Sequence, residues 1–204
     1  MENIIVNGEI SAAGKIVCVG RNYVEHIKEL GNEIPENMVI FLKPQTSITN
    51  VLLSEHNNES IHYEGEISFL YEKGAFTAVA FGLDLTKRSL QGRLKEKGLP
   101  WERAKAFDGA ALFSEFVSFS SDVSQLSLEL QINGNVIQSA GTELMMYKPQ
   151  EILKEIQQFM TLLDGDIIMT GTPKGVGVIN RGDFFTGIIR DRDKPIVKAH
   201  WTAL

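Results

Sequence analysis

The sequence has few of the features that mark out specialised classes of protein. It contains a single cysteine, Cys18, which excludes an internal disulfide framework and favours a reducing compartment. No apolar stretch approaches the roughly 18 to 20 residues that cross a bilayer. The first residues lack the basic segment and the long apolar segment of a signal peptide. These absences predict a protein of the cytoplasm with no membrane partner.

Basic residues are fewer than acidic residues. The 204 residues include 20 Lys and Arg against 26 Asp and Glu, which gives a formal net charge of −6. Because no basic run could follow a phosphate backbone, we expect no nucleic-acid partner. Hydrophobic residues make up 43% of the chain and charged residues 23%, as in ordinary globular proteins with a substantial core. Neither a linker nor a repeat divides the chain, so we expect one domain over residues 1–204.

Residue patterns predict a fold in which strands outnumber helices. Short apolar or alternating runs predict strands over residues 15–19, 38–42, 64–71, 77–83, 126–132, 136–139, 166–170, 184–189 and 196–201. A turn at Lys73-Gly74 and a strong hairpin signal at Asn133-Gly134 join two pairs of these strands. The order of elements lacks regular βαβ alternation, which predicts a β-rich α+β fold with mixed or antiparallel sheets.

Three segments have helical patterns. They are residues 22–30, opened by Asn22, residues 86–97, and residues 150–163. The last places Ile152, Ile156, Phe159 and Leu163 on one face, behind Pro149 at the start.

Acidic side chains are concentrated around Glu64-Gly65-Glu66. On a strand, residues i and i+2 point to the same face, so both carboxylates would converge on one place. Asp84 follows the apolar run 78–83 and is expected at the tip of a neighbouring strand. Three carboxylates with no clustered Cys or His form an oxygen site suited to Mg²⁺ or Mn²⁺. A pair of this spacing also occurs on the solvent face of edge strands, so spacing alone leaves both interpretations open.

His26 and Glu29 are three residues apart and would share one face of a helical turn. A carboxylate that accepts a hydrogen bond from imidazole fixes its tautomer and raises its basicity, as in an activated general base. An exposed surface pair has the same spacing and is the alternative interpretation.

An ordered set of motifs resembles the fumarylacetoacetate hydrolase family. In chain order the motifs are Val19-Gly20-Arg21-Asn22-Tyr23 with His26 and Glu29, Phe41-Leu42-Lys43-Pro44, the H-x-E-x-E of residues 62–66, Leu83-Asp84-Leu85-Thr86-Lys87-Arg88, Gly98-Leu99-Pro100-Trp101 with Ala104-Lys105-Ala106-Phe107, Asn133-Gly134 with Gln138, and the glycine-rich stretch 165–177. The resemblance extends from about residue 15 to about residue 190. The compact size and the block at 98–107 are most similar to the acylpyruvate hydrolase and oxaloacetate decarboxylase branch.

The resemblance implies a fold of rolled, packed mixed sheets, a homodimer, and a role for each motif residue. One Mg²⁺ or Mn²⁺ per subunit would be held by Glu64, Glu66 and Asp84. His26 and Glu29 would form the base on a mobile lid, and Lys105 would stabilise an enolate oxygen. The residues expected at the substrate are Arg21, Arg88, Gln91 and Thr172. Thr172 lies in the loop 170–177, which lacks the Gly-Lys-Ser/Thr ending of a phosphate-binding loop.

The implied reaction breaks a C–C bond in a small β-keto acid. Acylpyruvate hydrolysis and oxaloacetate decarboxylation both give pyruvate enolate, which the metal and Lys105 would stabilise. Two alternatives stay open, namely an isomerase of hydroxymuconate-type acids and an inactive, metal-stabilised binding protein. The chain departs from the family pattern near the expected pocket, with Tyr63 at a common histidine, Thr86-Lys87-Arg88-Ser89 in place of S-A-R-D, and no proline after Lys105. These departures leave the identity of the substrate open.

Overall fold

The computed structural model describes residues 3–29, 31, 33–119 and 122–204. The first nine strands are β1 (Asn3–Val6), β2 (Glu9–Ala12), β3 (Ile16–Gly20), β4 (Val39–Lys43), β5 (Ile48–Thr49), β6 (Glu55–His56), β7 (Glu59–Ser60), β8 (His62–Tyr63) and β9 (Gly65–Glu72). The others are β10 (Ala75–Asp84), β11 (Ala111–Phe113), β12 (Val117–Ser118), β13 (Leu126–Ile132), β14 (Asn135–Gly141), β15 (Asp166–Met169), β16 (Gly177–Val178), β17 (Phe184–Asp191) and β18 (Lys194–Thr202). The helices are α1 (Val24–Glu29), α2 (Arg88–Glu96), α3 (Glu102–Lys105) and α4 (Pro149–Phe159), with 3₁₀ turns at Gln45–Ser47, Val123–Gln125 and Thr142–Leu144.

Two sheets make up most of the fold. A curled sheet of eight strands runs in the order β4-β3-β15-β9-β10-β11-β5, with β12 also paired to β10. It is mixed, because β15 pairs with β3 and β11 with β5 in parallel, while its other pairs are antiparallel. The second sheet is antiparallel, in the order β14-β13-β17-β18, and three two-stranded ribbons complete the structure. This is the β-rich α+β fold with mixed sheets that the sequence predicts.

Strand alternation divides the core into layers. Residues with odd numbers on β9 and β10, such as Phe69 and Phe81, pack with β13 and β17 of the second sheet. Even-numbered residues such as Leu70 and Ala80 point to the opposite face, where they pack with Cys18. Helix α4 covers β3 and β15 on a third side. Glu66 and Asp84 also have even numbers, so they lie on the face turned away from the second sheet.

The predicted strands are all present, with ends shifted by at most a few residues, and both turns are confirmed. Lys73 (φ 52°) and Gly74 (φ 85°) connect β9 to β10, and Asn133 (φ 52°) and Gly134 (φ 82°) connect β13 to β14. Two successive positive φ angles are the geometry of the type I′ turn that suits a twisted hairpin. The very short strands, such as β5 to β8, were not predicted because two residues carry no periodic signal.

The helix predictions need three corrections. Helix α4 ends at Phe159 rather than 163, because Met160 is already extended (φ −136°, ψ 132°). Its predicted apolar face is wrong at its end, since Phe159 is 60% exposed and Leu163 is 64% exposed. Helix α2 starts at Arg88 rather than 86, because Thr86 is paired with His62 in a β-bridge.

Asn22 is the third correction. Its side chain was expected to open the first helix, but it donates hydrogen bonds to the carbonyls of Tyr147 (3.0 Å) and Thr170 (2.9 Å). It thereby holds β3 to two distant loops, and α1 starts at Val24. The predicted end of this helix at residue 30 lies outside the described residues. In the described ranges, no helix has both the length and the apolar character that a membrane span requires.

Candidate metal centre and its cavity

Three buried carboxylates meet on one face of the β9–β10 hairpin. Glu64 immediately precedes β9, Glu66 is its second residue, and Asp84 ends β10. The register sets Asp84 opposite Glu64, whose carbonyl accepts a hydrogen bond from the Asp84 amide at 2.9 Å. One carboxylate oxygen from each residue lies within 4.8 Å of the others, and each residue is at most 6% exposed. The convergence predicted from the i, i+2 spacing and from the strand tip is therefore present.

Positively charged side chains neutralise two of these carboxylates. Lys105 Nζ, on α3, lies 2.6 Å from Asp84 Oδ2 and 3.1 Å from Glu64 Oε2. Arg88, on α2, forms a second ion pair with Glu64, and Lys43 Nζ lies 2.8 Å from Asp84 Oδ1. In the described part of the chain Glu66 has no ion pair, and its Oε2 accepts a hydrogen bond from the Gly171 amide at 2.8 Å.

The pKa shifts of Glu64 and Glu66 follow from this difference in ion pairing. Burial raises the pKa of Glu66 well above its usual value, and the negative charges of Asp84 and Glu64 raise it further. Burial also acts to raise the pKa of Glu64, but Lys105 and Arg88 outweigh it and hold that pKa well below its usual value. Among the described residues, Glu66 is thus the carboxylate of this cluster that forms no ion pair. Three hard oxygen donors, one of them uncompensated, fit a divalent cation such as Mg²⁺ or Mn²⁺.

Helix α1 brings a histidine to the same place. His26 Nδ1 lies 3.0 Å from Glu29 Oε2, so the predicted pair is formed. His26 is 5% exposed, and it lines the same cavity as Glu64. The other oxygen of Glu29 accepts a hydrogen bond from the Gly175 amide at 2.9 Å, which attaches α1 to the glycine-rich loop after β15. The alternative of an exposed surface pair does not apply, because the imidazole is buried.

A small cavity of about 30 Å³ joins these groups. The cavity is lined by six of the residues identified from the sequence, namely Arg21, His26, Glu64, Arg88, Gln91 and Lys105. Arg88 Nη1 donates a hydrogen bond to Gln91 Oε1 at 2.9 Å, so the two side chains are held together. The cavity therefore brings together Glu64 of the carboxylate cluster, the histidine and three of the four expected substrate-binding residues.

Thr172 is placed differently from the other expected substrate residues. It is buried outside the lining of this cavity, and its Oγ1 accepts a hydrogen bond from Gln138 Nε2 at 2.8 Å. Gln138 Oε1 in turn accepts a hydrogen bond from the Gly65 amide at 2.9 Å. Thr172 thus helps to fix the start of β9, between Glu64 and Glu66.

Sequence reasoning missed Lys43 and Lys95. Lys43 is fully buried, and besides its ion pair with Asp84 it donates a hydrogen bond to the carbonyl of Lys105. The available signal was a lysine that ends an apolar strand directly before a proline. Lys95 lines the cavity and lies four residues after Gln91 and seven after Arg88, on one face of α2. Helical spacing was therefore the signal for Lys95.

Comparison with known proteins connects this site to a family. Residues 15–199 match the family model described as fumarylacetoacetate (FAA) hydrolase C-terminal. An oxaloacetate tautomerase of Escherichia coli (strain K12), YcgM, is 37% identical over 189 residues, which cover 84% of this chain and 86% of that protein.

Two solved structures have the same fold. The fumarylpyruvate hydrolase of Pseudomonas aeruginosa, in complex with Mn²⁺ and pyruvate, superimposes with a TM-score of 0.87 at 27% identity, over 99% of this chain and 95% of that one. The 5-carboxymethyl-2-hydroxymuconate delta-isomerase of Mycobacterium smegmatis has a TM-score of 0.77 at 29% identity, over 97% and 83% of the two chains. The resemblance predicted from the motifs is confirmed: the chain belongs to the fumarylacetoacetate hydrolase family.

Proposed function

We propose that this protein is a divalent-metal-dependent enzyme that interconverts the enol and keto forms of oxaloacetate or a closely similar β-keto acid. The observation that carries the proposal is the buried cluster of three carboxylates, one of which, Glu64, lines a cavity together with a histidine and several cations. The tautomerase from E. coli supports oxaloacetate as the substrate.

Glu64, Glu66 and Asp84 are the residues that would hold the metal, and one Mg²⁺ or Mn²⁺ per subunit is the proposed cofactor. A divalent cation bound there supplies Lewis-acid stabilisation of negative charge on a substrate oxygen. The Mn²⁺ in the structure of the fumarylpyruvate hydrolase supports this choice of ion.

The protein's own groups have complementary roles in the proposed reaction. Glu29 holds His26 Nδ1, so His26 Nε2 is the atom that takes the proton from C3 of the keto form. A proton from water then adds to the C2 oxygen of the enolate to give the enol, and the same steps in reverse regenerate the keto form. Lys105 Nζ stabilises the charge that develops on the C2 oxygen. The paired Arg88 and Gln91 orient the carboxylate and carbonyl end of the substrate.

C–C bond cleavage, by acylpyruvate hydrolysis or oxaloacetate decarboxylation, is the second candidate. A histidine activated by a carboxylate at 3.0 Å is also what a hydrolytic water requires. Both reactions proceed through an enolate of the same keto-acid end, and the fumarylpyruvate hydrolase supports the hydrolytic alternative. Isomerisation of hydroxymuconate-type acids is a third outcome of the same assay, supported by the isomerase from M. smegmatis.

The deciding experiment is an assay of the purified protein with Mg²⁺ or Mn²⁺ on oxaloacetate, acetylpyruvate and a hydroxymuconate. We expect faster keto–enol exchange of oxaloacetate than in buffer, and an at least about hundredfold loss of rate in His26→Ala with metal binding retained. His200→Ala, which changes an exposed histidine on β18, is the matched control and should keep the rate. No turnover of any keto acid, or an unchanged rate in His26→Ala, contradicts the proposal.

We also propose a homodimer in the cytoplasm. The family resemblance supports the dimer, and the single buried cysteine is consistent with a reducing compartment. Light scattering on the purified protein should then give twice the chain mass of 22.7 kDa.

A further inference from the structure

Lys95 is a cationic side chain that the proposed reaction leaves without a role. It follows Arg88 and Gln91 along one face of α2 and lines the same cavity. Its Nζ lies 4.9 Å from the centre of the Trp101 ring, which is a cation–π contact. In the described ranges the Nζ of Lys95 has no hydrogen bond and no ion pair with a carboxylate.

An aromatic pair contacts both Lys95 and Lys105. The ring centres of Phe41 and Trp101 are 5.8 Å apart, and Lys105 Nζ lies 5.2 Å from the Phe41 ring. The ammonium groups of two lysines thus each contact one ring of this aromatic pair. The charge of Lys105 is balanced by Glu64 and Asp84, whereas among the described residues Lys95 forms no ion pair.

Among the described residues that line the cavity, cationic side chains outnumber carboxylates. Four cations line it, namely Arg21, Arg88, Lys95 and Lys105, against the single carboxylate of Glu64. Burial lowers the pKa of Lys95 to about 8, and the charges of Arg21, Arg88 and Lys105 act in the same direction. An anion beside Lys95 would relieve this repulsion.

We propose that Lys95, seated on Trp101, binds the distal carboxylate of a keto dicarboxylate and so selects such substrates over keto acids with an uncharged end. The inference rests on the proposed function, because the other end of the substrate is the keto acid that faces the carboxylate cluster. The aromatic pair then lies under the carbon chain between the two charged ends. Lys95 is in this way a specificity-determining residue.

The test uses two unreactive ligands that differ in one group. Malate and 2-hydroxybutyrate share the carboxylate and hydroxyl end, but malate ends in a second carboxylate where 2-hydroxybutyrate ends in a methyl group. With Mg²⁺ present, calorimetry should show that the protein binds malate at least about tenfold more tightly, the contribution of one charge-assisted hydrogen bond. Lys95→Met should bind both ligands about equally, and Lys95→Arg should keep the preference.

Lys97→Met is the matched control, since it removes an exposed lysine at the end of the same helix. It should bind like the unchanged protein. The proposal is overturned if Lys95→Met, folded as judged by its melting temperature, keeps the preference for malate, or if the unchanged protein has no such preference. Failure of the proposed function looks different, because oxaloacetate is then not turned over while the preference for malate persists.

The pH dependence of binding is an independent readout. The ammonium form of Lys95 binds the carboxylate, so affinity for malate should fall as the pH rises through about 8. The other charged or titratable groups described around the cavity with Lys95 are Arg21, His26, Arg88, Lys105 and Glu64, and all five remain in Lys95→Arg. This variant stays charged, so its affinity should change little between pH about 7 and about 9. A similar decline in Lys95→Arg assigns the titration to another group and contradicts the inference.

Discussion

Glu66 illustrates how a residue proposed to bind a metal can oppose folding. It is 1% exposed, it lies beside two other carboxylates, and in the described part of the chain it has no ion pair. An uncompensated buried charge destabilises the folded state unless a cation balances it. We therefore expect Glu66→Gln, which keeps the shape and removes the charge, to raise the melting temperature of the metal-free protein by about 2 to 5 °C.

The same substitution should abolish the response to metal. Titration with Mn²⁺ should raise the melting temperature of the unchanged protein through preferential binding to the folded state, and leave that of Glu66→Gln unchanged. Glu55→Gln, which alters an exposed glutamate of β6, is the control and should respond normally. If Glu66→Gln binds Mn²⁺ with unchanged affinity in calorimetry, Glu66 is not a ligand.

Individual residues differed in how far they could be predicted. The convergence of Glu64 and Glu66 follows from strand alternation, and the position of Asp84 follows from the end of an apolar run. Lys43 could not be assigned in this way, because its contact with Asp84 depends on where β4 packs relative to β10. Its partner is 41 residues away in the chain, beyond any local pattern. Tertiary pairing, not local preference, decides such contacts.

At the level of secondary-structure elements, the correct predictions were those based on sequence signals with a local physical cause in the backbone. Lys73-Gly74 and Asn133-Gly134 form the expected turns because glycine and asparagine tolerate positive φ. The end of α4 was missed because the helical periodicity continues into residues that the chain uses for the entry to β15. There the Asp166 carboxylate accepts a hydrogen bond from the Leu163 amide at 2.8 Å, which stabilises a turn instead of the helix.

The contact between the two sheets gives a prediction at this scale. Gly187 lies on β17 directly against the Phe81 ring of β10, and a β-carbon at Gly187 would overlap that ring. Gly187→Ala should therefore push the sheets apart and lower the free energy of unfolding by about 1 to 3 kcal/mol. Urea denaturation followed by tryptophan fluorescence measures this change, since Trp201 lies against Phe81 with ring centres 6.2 Å apart.

Gly92→Ala is the matched control, and its expected effect on stability is the opposite of that of Gly187→Ala. Gly92 lies inside α2, and nothing lies within 4 Å of where its β-carbon would be. Alanine restricts the unfolded chain and favours the helix, so stability should rise by about 0.5 to 1 kcal/mol. Equal effects of the two substitutions would show that the close contact between the sheets is not the cause.

Across the whole molecule, the cavity is assembled from segments that are far apart in sequence. The parallel pairing of β3 with β15 brings the loop before α1 next to the glycine-rich loop, and Asn22 holds them together through Thr170. The β9–β10 hairpin then supplies the carboxylates, and α2 and α3 supply the cations. The sequence motifs could indicate which residues take part. The order of strands in the curled sheet, which determines how they meet, depends on long-range pairing that no local pattern encodes.

We expect α1 to move when a ligand enters. The cavity of about 30 Å³ is close to the volume of one water molecule, and a keto dicarboxylate needs several times that space. Helix α1 has only six residues. Among the described contacts, a single hydrogen bond, from the Gly175 amide to the Glu29 carboxylate, attaches it to the glycine-rich loop. Such an element should open at low free energy, whereas the buried β9–β10 hairpin should open only with the whole fold.

Hydrogen exchange followed by mass spectrometry tests this difference in local stability. In the free protein, peptides that cover α1 should exchange much faster than peptides from β9 and β10. Addition of Mg²⁺ and malate should slow exchange in α1 by about tenfold or more, because the ligand stabilises the closed arrangement, and should leave β9 and β10 unchanged. Two results would contradict this prediction: α1 as protected as the hairpin without ligand, or no slowing of exchange in α1 when the ligand is added. Access to the cavity would then open at a different element, and α2, which carries Arg88, Gln91 and Lys95, is the alternative.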